Sequence, residues 1–280
     1  MFINFLINLF VFIFGLCIGS FLNCVIYRTE LQENMPKKDP NRKAVSFLHG
    51  KSFCPHCKRT LSWKDLFPVF SYLFLLGKCR YCKKNISWQY PLVEIATGII
   101  FLLIYNLKFE ILNQFEILKY SNILNLLFLF YIAGVLIAIF VYDLKHYLIP
   151  DKILFPAIAI AFIFRLLENF SSVPNFLLAV AIASGFFLAI FLVSKGKWMG
   201  FGDVKLAILL GLILGSPSIL VGLFLAFFFG AIIGIILMLF NKKGLKSEIP
   251  FGPFLIAGTF IALFWAPEII SWYMHTLLFW

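Results

Sequence analysis

The sequence predicts an all-α polytopic membrane protein of about eight transmembrane helices, with a small cytoplasmic four-cysteine loop domain after the first of them. Three observations carry that expectation. Of the 280 residues, 62% are hydrophobic and 13% charged, about half the charged share of an ordinary soluble globule. The 36 Phe within a 19% aromatic content offer more apolar surface than a fold of this size buries inside itself, so lipid must take the remainder. Two Cys-x-x-Cys pairs lie in one polar stretch, which is metal spacing rather than a secreted disulfide framework.

The elements follow in order. The N-terminus has no basic residue before its first apolar run and no small-residue cleavage site, so it reads as a retained span rather than a removed signal peptide. Apolar runs near the required length of roughly 20 residues fall at 4–27, 91–107, 122–142, 153–168, 175–194, 203–215, 218–240 and 253–274. Lipid forbids open sheet edges, so these are helices. The sixth run is short and ends at the Gly215-Ser216-Pro217 break, which implies tilt, local thinning or burial among neighbours. The division expected is a first transmembrane helix at 1–27, a cytoplasmic loop domain at 28–90 and a transmembrane core at 91–280.

The net charge of +11 would point to nucleic acid in a soluble chain, but here its distribution decides. Thirteen Lys and Arg lie in 28–88, two in 143–152, three in 195–205 and three in 241–250; Lys108, Lys119 and Arg165 remain for the other face. The positive-inside rule puts both termini outside and the long loop in the cytoplasm, an alternation that eight spans satisfy and seven would break. Anionic lipid and topology account for the positive charge, and no nucleic-acid partner is expected.

The loop reads Cys54-Pro-His-Cys57, then 21 residues, then Cys79-Arg-Tyr-Cys82, the two-knuckle spacing of a tetrahedral thiolate site. Zinc is the first choice and mononuclear iron fits the same spacing. Lys58, Arg59, Lys78 and Arg80 offset the surplus negative charge of four thiolates. Unmetallated thiols or two disulfides are the competing readings, and a reducing cytoplasm disfavours disulfides. A closed site has no open coordination position, so the metal folds the loop rather than hydrolysing anything. His56 reads as an exposed loop residue, and Cys17 and Cys24, seven apart on the first span, read as packing.

Most of the thirteen carboxylates lie in loops, but Asp143 and Asp203 stand at helix ends. Asp143 ends the third span, where the helix dipole disfavours a negative charge and something should compensate. Asp203 follows Gly200-Phe201-Gly202, whose glycines let another backbone approach; a helix N-cap and catalysis both fit it. Asp151, after Pro150, reads as a cap. Two aspartates at one depth on adjacent helices would share a proton, the arrangement of an aspartyl-protease dyad. One would take a proton from water as it attacks a peptide carbonyl while its protonated partner polarises that carbonyl, with no metal needed.

These motifs together resemble the type IV prepilin peptidases (prepilin leader peptidase/N-methyltransferases), membrane aspartyl proteases with a GxGD motif. The resemblance rests on the ordered set Gly15–Arg28, Asp65–Leu73, Gly77–Cys82, Tyr90-Pro-Leu-Val-Glu94, Tyr142-Asp143 with Leu148-Ile-Pro-Asp151, Gly200-Phe-Gly-Asp203-Val-Lys-Leu206 and Ile249-Pro-Phe-Gly-Pro253. Gln89 stands where many members carry arginine. The resemblance implies Asp143 and Asp203 as the catalytic pair, and cleavage of prepilins and pseudopilins after the glycine that ends a short cytoplasmic leader. It also implies methylation of the new N-terminus from S-adenosylmethionine, an association of Cys54, Cys57, Cys79, Cys82 and Gly77 with that second activity, and a place in the bacterial inner membrane. Glu94 reads either as a residue that orients the loop or contacts substrate, or as an early-turn glutamate favoured by the dipole.

The competing class is a transporter or channel with a zinc-stabilised cytoplasmic cap. Transporter sites lie near the bilayer midplane in broken helices, whereas the acidic pair lies at an interface and midspan charges are nearly absent. A zinc module on a membrane anchor would need only one or two spans. Oligomeric state is not legible in the sequence.

Overall fold

The computed structural model of the chain describes residues 2–35, 52–109, 120–240 and 249–277. Basic residues counted above within 36–51, 110–119 and 241–248 lie outside the described residues. The chain forms helices α1 (Phe2–Asn34), α2 (Phe70–Phe74), α3 (Gln89–Phe109), α4 (Tyr120–His146), α5 (Asp151–Glu168), α6 (Val173–Ser194), α7 (Phe201–Leu214), α8 (Ser218–Leu239) and α9 (Gly252–Leu277). Among the described residues the only β pairing is two isolated bridges, Phe53 with Thr60 and Lys78 with Asn85.

The polytopic all-α class is as the sequence predicts, and a helix stands at each of the eight apolar runs. Six stretches, in α1, α3, α4, α8 and α9 and in α6 with the short 3-10 turn Phe170–Ser172 before it, are long and apolar enough to cross a bilayer. The other two, α5 and α7, are shorter. At 1.5 Å per residue the 14 residues of α7 reach about 21 Å, less than the ~30 Å of a hydrocarbon core. The first span also ends later than expected: α1 runs past 27 to Asn34. Its last turns hold good helix formers, Glu30, Leu31, Gln32 and Glu33, and Arg28, Thr29 and Gln32 are buried there, with the Thr29 hydroxyl donating to the Val25 carbonyl at 2.8 Å.

Two compact units divide the chain, Met1–Ala138 and Ile139–Trp280. In the first, α1 and α3 lie backbone to backbone because Gly15 and Gly19, one helical turn apart, carry no side chain. A Cβ on Gly15 would stand 2.7 Å from the Gly98 Cα, and one on Gly19 would stand 2.6 Å from the Glu94 Cα. Such small-residue stripes are how helices associate where lipid removes the hydrophobic driving force. Phe101 stacks on Phe130 of α4 with centroids 4.2 Å apart, closing the core. The Asn23 amide donates to the Tyr90 carbonyl at 3.1 Å and accepts from Gln89 at 3.4 Å, so the residue standing in the arginine position ties α3 to α1. Cys17 is exposed rather than packed.

The second unit is organised around α7. Nine of its residues are buried, as an all-round apolar helix requires, and this resolves its short length: it is enclosed by neighbours. Gly211 lets α6 approach, since a Cβ there would meet the Val180 Cα at 2.7 Å. A helix ending inside protein leaves carbonyls without partners. Arg165 of α5 supplies them, with Nε donating to the Leu212 carbonyl at 3.0 Å and Nη2 to that of Ile213 at 2.9 Å. Its guanidinium rests 4.2 Å from the Phe176 ring centroid and pairs with Glu168 at 2.6 Å. Arg165, counted above only as a charge for the far face, thus closes the last carbonyls of α7 from a neighbouring helix, while Gly215 is the C-cap residue itself.

Replacing Arg165 with Leu strands these carbonyls, and the cost should be about 1–3 kcal/mol, read as a lower thermal midpoint of the purified chain in detergent. A Lys at the same position keeps one donor and should recover part of the loss.

Candidate active site and metal centre

Three separated sequence segments converge on the two aspartates. Asp143 sits in the last turn of α4 and is 4% exposed; Asp203 lies in the first turn of α7 and is 9% exposed. They are close enough for the charge of Asp143 to act on Asp203. The N-cap of α7 is Gly200, so the cap reading of Asp203 fails: its own N–H reaches back to the Gly200 carbonyl at 3.3 Å, and its carboxyl remains available. Asp151 is likewise no cap, because Pro150 occupies that position; its carboxylate pairs with Lys205 of α7.

The compensation that Asp143 needs comes from another helix. The backbone N–H of Gly252 donates to its carboxylate, and Gly252 is the first residue of α9, where unpaired N–H groups and the helix dipole favour an anion. A Cβ on Gly252 would stand 2.5 Å from Asp143 Oδ2, so the seat exists only for glycine. Ile149 fixes the third segment: its Cβ would lie 3.3 Å from a Cβ on Gly202, and its Cδ1 3.6 Å from one on Gly252. The Leu148–Asp151 run, the Gly200–Asp203 turn and the start of α9 are thereby wedged around one side chain. Among the described residues neither aspartate is ion-paired.

The four cysteines form a second site. Their Sγ atoms all lie within 4.8 Å of one another, and Cys54 and Cys82 Sγ are 3.9 Å apart, far beyond a disulfide bond. A tetrahedral ion with ~2.3 Å metal–sulfur bonds separates its sulfurs by about 3.8 Å, so the set fits such a metal. The two knuckles share one geometry. Lys58 N–H bonds the Cys54 carbonyl at 2.9 Å and Lys83 N–H that of Cys79 at 3.0 Å, while the Cys54 and Cys79 N–H groups bond Arg59 and Lys84 carbonyls. Lys58 and Lys83 both take a positive φ.

Burial pushes the Cys54 thiol up, but the N–H groups of Cys57 and His56 and the neighbouring thiols outweigh it and bring it to about 7. For Cys82 the Lys84 N–H acts downward, yet burial and bonds to the other three thiols carry it up to about 11. His56 is exposed, as expected for a loop residue.

Two carboxylates that composition did not single out hold this module. Asp65 accepts from Arg80 Nε at 2.7 Å, Ser62 Oγ at 2.9 Å and Ser62 N at 3.1 Å. Burial raises its pKa, and the Arg80 and Ser62 bonds more than reverse that, leaving it below the usual carboxylate range. Glu94, buried on α3, accepts the Val69 N–H at 2.7 Å, so of its alternatives it orients the loop. Gly77 has φ +68, and a Cβ there would meet the Tyr72 hydroxyl at 2.9 Å. Its N–H bonds the Tyr72 carbonyl and its own carbonyl takes the Ile86 N–H at 2.7 Å, ending α2 and launching the second knuckle.

A multi-pass helical membrane protein with a thiolate module and a buried aspartate pair is the class this fold and these sites define. Residues 13–108 match the bacterial peptidase A24 N-terminal domain, and residues 128–235 match the type IV leader peptidase family. The chain is 32% identical to the prepilin leader peptidase/N-methyltransferase of Legionella pneumophila, covering 94% of this chain and 92% of that one. It is 30% identical to the protein of that name from Bacillus subtilis, covering 95% of this chain and 98% of that one, and 30% identical to that from Aeromonas salmonicida strain A449, covering 96% and 94%. No solved structure matches the chain. The chain belongs to the type IV leader peptidase family.

Thiolates bind metal only when deprotonated, so bound metal should fall as pH is lowered. The stability that Asp65 gives the loop is present above the unfolded carboxylate range near ~3.9 and is lost as pH falls through its lower folded value. At neutral pH Asp65→Asn should release metal to a chelator severalfold faster than the unsubstituted chain, and Cys54→Ser should purify without it; elemental analysis reads both.

Proposed function

We propose that this chain removes the short leader from type IV prepilins and pseudopilins after a glycine, at the cytoplasmic face of the bacterial inner membrane, and N-methylates the new N-terminus. Membership of the leader peptidase family and the names of relatives similar over nearly the full length support both activities. The observation that carries the peptidase mechanism is the burial of Asp143 and Asp203 together, with Asp143 seated on the α9 N-terminus.

In this reading two buried carboxylates share one proton. The ionised member takes a proton from water as the water attacks the scissile carbonyl. The protonated member donates a hydrogen bond to the carbonyl oxygen, and a proton then passes to the leaving amine. The Gly252 N–H holds the Asp143 carboxyl in place, and Ile149 keeps the Gly200–Asp203 turn against it. Asp143 and Asp203 lie at helix ends rather than in midspan, which disfavours the transporter or channel alternative.

Cys54, Cys57, Cys79 and Cys82 hold the metal of the loop. Zinc suits four thiolates, and its task is to fold the module. S-adenosylmethionine supplies the methyl group when bound. Gly77 acts through the backbone by setting the second knuckle. The loop's cytoplasmic side and the outside position of both termini rest on the excess of Lys and Arg in 28–88.

Mass spectrometry of a prepilin incubated with the purified chain, with and without S-adenosylmethionine, should give leader loss in both and a methyl mass increment only with the donor. Asp143→Asn and Asp203→Asn should each lower cleavage by about a hundredfold or more while metal content stays normal; retained cleavage in either removes that residue from the mechanism. Gly252→Ala should lower the cleavage rate without changing membrane insertion. Cys54→Ser should lose methylation before proteolysis.

A further inference from the structure

The loop carries a feature that neither cleavage nor metal binding uses: an apolar edge turned outward. Phe67, Phe70, Leu73, Phe74 and Leu76 are all exposed, Phe74 at 84% and Leu76 at 85%. Helical spacing puts Phe70, Leu73 and Phe74 on one side of α2, and Phe67, in the non-helical turn before it, is held to the helix by the bond from Ser71 N–H to the Phe67 carbonyl. Trp63 stands 5.9 Å from Phe67 at one end of the edge, and Trp88 stands 5.2 Å from Tyr72 behind it. Lys64, over the Trp63 ring at 5.6 Å, and Lys78, whose N–H bonds the Leu75 carbonyl at 3.0 Å, are exposed at the margin of the edge, and Lys83 and Lys84 are exposed in the second knuckle. A soluble surface does not maintain such a patch without a partner.

We propose that residues 66–76 form an interfacial anchor, with this edge embedded at the headgroup–acyl boundary of the leaflet that the loop faces and the lysines meeting anionic headgroups. Depth supports the assignment. Val69, which opens α2, is bonded to Glu94, five residues into the spanning helix α3. At 1.5 Å per residue that is about 7.5 Å along the helix, within the roughly 5–10 Å at which amphipathic segments bury their apolar face. Exposed tryptophans at the margin are the side chains enriched at that level. The combination of an apolar edge with a basic rim selects a bilayer over a purely apolar or purely acidic partner. The choice of the inner leaflet rests on the proposed sidedness; the anchoring does not.

The test uses the full chain with p-benzoylphenylalanine at position 74, reconstituted in vesicles of phosphatidylethanolamine and phosphatidylglycerol and irradiated. Lipid adducts at position 74 are the expected product, and their yield should fall about twofold or more when phosphatidylcholine replaces the anionic lipid. An adduct within this chain, an adduct to added prepilin in preference to lipid, or no adduct would overturn the proposal, and an unchanged yield would overturn the role of the lysines. A membrane-impermeant amine reagent applied to oriented vesicles reports the loop's side separately, so an error in sidedness is distinguishable from an error in anchoring. Phe74→Asn should retain metal and leader cleavage, showing that the edge is not part of either site.

Discussion

Asp143 is buried because residue 252 has no side chain. A carboxyl at the C-terminal end of its own helix faces partial negative charge, and burying it without a partner would be costly. The first N–H of α9 meets it, and this contact draws together the end of α4, the start of α7 and the start of α9. Much of the second unit serves that geometry. α7 is enclosed, its C-terminal carbonyls are closed by Arg165, and its N-terminus is tied to α5 by the Lys205–Asp151 pair. Where water is scarce, helix ends and single side chains carry the hydrogen-bond accounting that solvent performs elsewhere.

The first unit follows the same logic with a metal-binding cluster added. Gly15 and Gly19 let α1 and α3 touch, Glu94 reaches from that pair to the loop backbone, and Asp65 links the inter-knuckle segment to the second knuckle. The four thiols then converge without a disulfide. The loop is thus fixed at two levels, by carboxylates with buried side chains and by a site suited to a tetrahedral ion, and the bond from Asp65 to Arg80 of the second knuckle couples the two.

Chemistry-bearing residues were legible in the sequence because they are rare in an apolar chain. Paired Cys-x-x-Cys and an aspartate after Gly-x-Gly stand out where few polar residues exist, and the helices follow from the length of the apolar runs. What the sequence concealed was the residue that acts through absence. Gly252 between Phe251 and Pro253 looks like a turn signal, and nothing local shows that a carboxyl 109 positions earlier rests on it. The bonding role of Arg165 is hidden because a short enclosed helix, whose end needs donors from a neighbour, cannot be told from a short span by composition. The α1 extension to Asn34 is invisible to hydropathy, because polar residues that pack inside a unit resemble loop residues. Asp203 fits a cap by spacing alone, because its position relative to Gly200 depends on backbone angles that spacing does not give.

The central claim is that the groups at 143 and 203 face each other. Disulfide trapping tests it most directly: Asp143→Cys and Asp203→Cys are combined in a chain whose Cys17 and Cys24 are serine, oxidised in the membrane or bridged by a short bifunctional thiol reagent, and mapped by peptide mass. The account predicts a 143–203 linkage as the dominant product. Efficient oxidation or alkylation of both thiols with no linkage between them would contradict it.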